Sequence, residues 1–238
     1  MRRGKRQRTG AGSSTQLDFA VALESRLMED GLASPRAKAE PGQVMLIACG
    51  ALAREILTIN EANGWDHAVL ECLPAKLHNA PQHIAEAVRV KVRDAKARGF
   101  ESIIVLYADC GTGGALDTVC AEEGVERIPG PHCYAFFDGV ETFDARHEEE
   151  LGTLYLTDFF AKQFDALIWR GFGLDQAPEM RDILFAHYTR VVYLAQTDDP
   201  ALDAKAQEAA ARLGLAYERR FTAYGDLERF IAPRTTPA

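Results

Sequence analysis

The chain has 238 residues, a formal charge of −8 and five cysteines. That length suits one large α/β domain with a substantial core. An acidic protein is a poor partner for nucleic acid, and no run reaches the length of a membrane-spanning helix. An odd cysteine count without paired spacing is not a disulfide framework. The expectation is a cytoplasmic protein with free thiols that binds neither nucleic acid nor membrane.

Arg2, Arg3, Lys5, Arg6 and Arg8 precede Thr15 with no acid among them. Residues 1–15 are read as a disordered basic tail. Leu17, Ala20, Val21, Leu23, Leu27 and Met28 recur at helical spacing, and Pro35, Pro41 and Gly42 punctuate the stretch after them. Residues 16–43 are therefore read as a peripheral helix and linker, dispensable for folding to about Ala39. The α/β domain is placed at 44–232 and a loose tail at 233–238.

Val44–Ala48 is an apolar strand ending in Cys49-Gly50, and Ala51–Asn63 is a helix closed by Gly64. The strand His67–Leu73 leads into Pro74-Ala75-Lys76-Leu77-His78-Asn79. Pro81 then opens a helix that runs to Arg98. Ile103–Leu106 is a continuous apolar run, as expected of a central strand covered on both faces. It continues into Tyr107-Ala108-Asp109-Cys110, the turn Gly111-Thr112-Gly113-Gly114 and a helix from Ala115 to Glu123. A short strand at Val125–Ile128 precedes the stiff turn Pro129-Gly130-Pro131-His132-Cys133.

Thr153–Asp158 leads to a helix with Phe160, Phe164, Leu167 and Ile168 on one face. A helix at Ala177–Tyr188, a strand at Val191–Ala195, a helix at Pro200–Leu213, a strand at Leu215–Arg219 and a helix at Leu227–Ile231 complete the order. Regular alternation predicts a single three-layer α/β/α domain with a mostly parallel sheet.

Two strands end in Cys-Gly. A thiol there meets the start of the following helix, whose amides and dipole lower its pKa; equally, each cysteine can be a small buried residue. Cys72 and Cys120 fit apolar faces and are assigned to the core. Cys49, Cys110 and Cys133, with His78 or His132, are the candidate metal ligands, since histidine and cysteine suit zinc. An iron–sulfur cluster is the other option, although it ordinarily takes four cysteines. Cys110, Cys49 and His78 are the catalytic candidates, with a cysteine as nucleophile and His78 or His132 as base. Gly111, Thr112, Gly113 and Gly114 are read as an anion cradle, with Asn79 and Tyr155 as further cofactor contacts. The turn matches neither a P-loop nor GxGxxG. Asp158 is a candidate N-cap.

The stretches IACGALAREI, LPAKLHNAP, YADCGTGG, IPGPHCYAFFDG and GTLYLTDF resemble the bacterial and archaeal family catalogued as domain of unknown function 1638. The resemblance spans about Val44 to Asp158 and continues more weakly through VVYLAQ to about Ala232. Cys49, His78, Asn79, Cys110, His132 and Cys133 fall in its motifs; Cys72 and Cys120 do not. Members tend to accompany corrinoid proteins and trimethylamine-type methyltransferases. The resemblance therefore implies a role near methyl transfer, with such a protein as partner. A metal- or cofactor-binding protein, a metal-free cysteine enzyme and a non-catalytic accessory module all remain open on the sequence.

Overall fold

Buried, β-branched strands separated by helices dictate the architecture. The computed structural model describes residues 23, 25–34 and 38–235. Strands β1 (Val44–Cys49), β2 (Ala68–Leu73), β3 (Ser102–Leu106) and β4 (Glu126–Arg127) form a parallel sheet in the order β2-β1-β3-β4. Every residue of β1 is buried, as is Ile103–Leu106 of β3, which is what strands covered on both faces require. A second parallel sheet comes next in the chain, β5 (Thr153–Leu156), β6 (Arg190–Ala195) and β7 (Ala216–Phe221), in the order β5-β6-β7. The protein is thus an α/β fold whose strands divide into two sheets. The sequence, read as strands alone, did not reveal that division.

The principal helices are α1 (Ala53–Asn63), α2 (Ile84–Ala97), α3 (Ala115–Glu123), α4 (Asp158–Lys162), α5 (Pro200–Leu213) and α6 (Asp226–Thr235). Three helical stretches differ from expectation. The helix expected to carry Phe160 through Ile168 stops at Lys162 and resumes as a π turn over Asp165–Trp169. Ala177–Tyr188 shrinks to a 3₁₀ turn and the short helix Arg181–Leu184. Helix α6 runs on through Pro233 to Thr235, whose hydroxyl donates to the Ile231 carbonyl, so residues 233–235 are not a loose tail.

Residues 1–15, read as a disordered tail, and 236–238 lie outside the described residues. Of the expected N-terminal helix, residues 25–29 are helical, and Leu27 and Met28 are fully inside the core. Leu32 and Cys72 exchange backbone hydrogen bonds of 2.9 and 2.7 Å on the free edge of β2. Ser34 donates to Glu71, a buried carboxylate also held by Arg98 at 2.6 Å and Lys91 at 2.8 Å. Burial alone would raise the Glu71 pKa, but these partners bring it down to about 2. The segment expected to be peripheral therefore fills core and covers an edge, and its removal would strip both.

Candidate functional site

Strands β1 and β3 pair in parallel, Val44 opposite Ser102 through Ala48 opposite Leu106, so Cys49 and Cys110 leave the sheet at the same carboxyl edge. Such an edge is where open α/β sheets bind ligands. Beyond β3 the chain zips onto the proline turn: Asp109 N–H donates to Gly130 O at 3.0 Å and Cys110 N–H to Pro131 O at 2.8 Å. Two residues further on, Cys133 is thereby set against Cys110, with the sulfurs 3.1 Å apart. Cys110 itself adopts a left-handed backbone, φ 49°, uncommon for a residue with a Cβ. Such conformations cluster at functional sites.

Cys49, His78, Cys110, His132 and Cys133 all line one cavity, closed by Tyr107, Tyr134 and Phe160 among others. Its free volume is about 20 Å³, room for little more than one water. Cys72 and Cys120 are buried elsewhere in the core. A second, open cleft of about 430 Å³ abuts the first. Of the cysteines, Cys110 alone lines both.

The thiols differ in character. Burial pushes Cys49 up to about 11, and the nearby Cys110 adds to the rise. Cys110 is lowered from the ordinary thiol range, first by the Cys133 thiol hydrogen-bonded to it, against burial, and then with help from backbone hydrogen bonds. Cys133, its hydrogen-bonded partner, is raised by that bond and by burial. The pair ionises as a unit, with the charge on Cys110. The Tyr107 hydroxyl is buried beside Cys49 without closing a hydrogen bond of normal geometry.

Several expected roles are filled differently. The Gly111–Gly114 turn is not an open anion cradle: the Asp109 carboxylate accepts from the amides of Gly111, Gly113 and Gly114 at 3.2, 3.2 and 2.8 Å and from the Thr112 hydroxyl at 2.7 Å. Burial would raise Asp109, but these donors lower it. The largest lowering influence on Cys110 is the Cys133 thiol. Asn79 donates to the Leu167 carbonyl at 2.9 Å, and Tyr155 donates to Glu150, so both side chains are anchored to protein. Thr157, not Asp158, caps α4, accepting from Phe160 N–H. Asp158 instead accepts from Tyr193 and from the Gln196 and Thr197 amides, tying α4 to the end of β6.

Neither imidazole is hydrogen-bonded to a thiol among the described residues, so the expected cysteine–histidine base pair is not formed. His78 meets Phe160 edge-on at 4.9 Å and His132 stacks on Tyr134 at 4.8 Å. Burial lowers both histidine pKa values, helped at His78 by His132; Asp109 partly offsets it at His132. Nor do the residues fit a metal as placed: among the described residues no three His, Cys, Asp or Glu side chains gather closely enough to hold one. No helix there is long and apolar enough to cross a membrane.

The model of a family described as "Protein of unknown function (DUF1638)" matches residues 72–231. The chain belongs to this family. The DUF1638 match includes His78, Asn79, Cys110, His132 and Cys133 and begins beyond Cys49. Among curated proteins none matches the chain.

Sequence reasoning missed Tyr107 and the role of Phe160 as a wall between cavity and cleft. Tyr107 directly extends β3, and its phenol in an apolar run was the available signal. Glu55, a carboxyl in the apolar α1 turn after Cys49, was missed as well.

Proposed function

We propose that this DUF1638 protein is a cysteine-dependent enzyme in which Cys110 is the nucleophile and Cys133 its activating partner. The observation that carries the reading is the 3.1 Å contact between the two sulfurs, with Cys110 alone also facing the open cleft. A thiolate, not a thiol, is the attacking species, and a hydrogen bond to it favours ionisation. Attack forms a bond from the Cys110 sulfur to an electrophilic atom of the substrate while the leaving group departs with its electron pair. Cys133 can return its thiol proton to that group. The resemblance to companions of corrinoid proteins and methyltransferases supports a carbon electrophile and a partner of that kind as the setting.

A second reading is a soft metal ion held by Cys49, Cys110 and Cys133 with His78 or His132. It is favoured by the five ligand-type side chains on one cavity wall. It requires side-chain rotation, because no three converge as they stand. One experiment separates the two. Protein purified without oxygen is analysed for metal and then treated briefly with iodoacetamide near neutral pH, with each cysteine followed by peptide mass spectrometry. Metal-free protein in which Cys110 is alkylated well ahead of the other four supports the nucleophile. Stoichiometric zinc or iron with Cys110 protected supports the metal and defeats the nucleophile.

A further inference from the structure

The thiol cavity has room for about one water, so a substrate of Cys110 must lie in the adjoining cleft of about 430 Å³, within the size range of small-molecule sites. The chemistry of that cleft limits what it can hold. Its walls come from both sheets' surroundings, the loops after β2, β3 and β4 and the segment from β5 to Tyr188. None of its lining residues is Asp, Glu, Lys or Arg. Apart from the tyrosine hydroxyls, the titratable groups there are Cys110 and the two imidazoles at the same end, which burial keeps toward their neutral forms. The one amide, Asn79, is already committed to the Leu167 carbonyl. Beyond the Cys110 thiolate, which is engaged with the electrophilic atom, a charged substrate body would give up water here without a counter-charge.

The aromatic side chains of the cleft pack on one another. Tyr134 stacks with both His132, at 4.8 Å, and Tyr155, at 5.2 Å, while Phe172 meets Phe185 edge-on. Among the lining residues, Phe172 is 50 %, Leu184 42 % and Tyr188 37 % exposed, so three apolar side chains stand open to solvent at this one cleft. Isolated exposed apolar residues need no explanation, but three around one opening do.

We infer that the cleft is the binding subsite for the uncharged, apolar body of the substrate, aromatic or hydrocarbon, with its electrophilic atom at the Cys110 end. The inference rests on Cys110 being the nucleophile. It excludes nucleotides, phosphate esters, free acids and ammonium ions as substrates, and it deepens the proposed function by naming a substrate class.

Three methanethiosulfonates of matched reactivity test it: a benzyl, a trimethylammonioethyl and a sulfonatoethyl reagent. In each, the Cys110 thiolate forms a disulfide with the reagent sulfur and methanesulfinate leaves with the electron pair. Rates at Cys110, resolved by peptide mass spectrometry, are divided by those for free cysteine to remove intrinsic reactivity. The expected result is a normalised rate for the benzyl reagent about tenfold or more above both charged ones, as burial of part of a ring provides. Leu184→Asn, an uncharged polar change at the exposed rim, should erase most of that advantage, read as the ratio of the benzyl to the iodoacetamide rate at Cys110. Rapid labelling of Cys110 with no ranking, or with the cationic reagent fastest, overturns this inference and leaves the nucleophile standing. Labelling of Cys110 no faster than the other cysteines by every reagent overturns the nucleophile, and the inference with it.

Discussion

At the end of β1, Cys49 has an extended backbone, φ −69° and ψ 140°, and is buried, whereas at the end of β3, Cys110 has a left-handed backbone and touches the open cleft. Each is followed by glycine, for different reasons. A Cβ at Gly50 would stand 2.4 Å from the Leu27 carbonyl, so that glycine permits close packing. Gly111 has φ 85° and no such obstruction; it is there to turn the chain.

The electrostatics follow the packing. Around β1 the titratable groups are driven toward neutral forms: Cys49 rises, and Glu55, with one carboxyl oxygen lacking a hydrogen bond, rises to about 7, chiefly through burial and then through Asp158. In the turn after β3, Asp109 and Cys110 are driven toward charged forms, both lowered by the hydrogen bonds they accept. One dipeptide at one sheet edge thus yields a closed thiol and an activated one. What separates them is the supply of donors, which the dipeptide does not specify.

The largest expected effect tests the neutral side of this contrast. Glu55 holds its proton to about 7 in the fold against an ordinary 4.5. The folded state binds that proton more tightly, so its contribution to stability is complete below 4.5 and is lost as pH rises through about 7. Glu55→Gln should therefore stabilise the protein above that range by about 3 kcal/mol and change little at its lower end. Urea denaturation at about pH 5 and about pH 8 measures this. Equal effects at both would mean that the β1 edge is wetter than the structure has it.

A smaller effect sharpens the charged side. Cys133→Ala removes the hydrogen bond that favours the Cys110 thiolate, worth about 1.5 kcal/mol at the low end for a bond to a charged group. At a pH below the Cys110 pKa, alkylation of Cys110 should slow by about tenfold, and the pH–rate profile should move to higher pH. An unchanged profile would assign the activation to the backbone amides alone.

Smallest are the changes away from both edges. Cys72→Ala and Cys120→Ala should each cost about 1 kcal/mol through lost packing and leave Cys110 labelling as in the parent protein. If either altered the labelling, the division between core thiols and site thiols would be wrong.

The shared edge of Cys49 and Cys110 was legible because two buried, β-branched runs in an alternating pattern must pair in parallel. The partnership of Cys110 with Cys133 was legible only as convergence. The contact depends on the Asp109 and Cys110 amides pairing with the Gly130 and Pro131 carbonyls, which no spacing encodes. The glycine turn was misread as an anion site although its own signal was present. Asp109 ahead of Gly-Thr-Gly-Gly is the composition of a turn closed by a carboxylate, and the structure shows that closure. The N-terminal segment looked peripheral because its helical stripe was read without a partner, and the burial of Leu27 against Gly50 appears only when the chain is folded.

The central claim is that the same edge carries one suppressed thiol and one activated thiol. It is tested most directly by a pH titration of thiolate ultraviolet absorbance in the parent protein, Cys110→Ser and Cys49→Ser. The expected result is one thiolate ionising below the ordinary cysteine range in the parent protein and in Cys49→Ser, and none in Cys110→Ser. Loss of the early step in Cys49→Ser with its retention in Cys110→Ser would contradict the account.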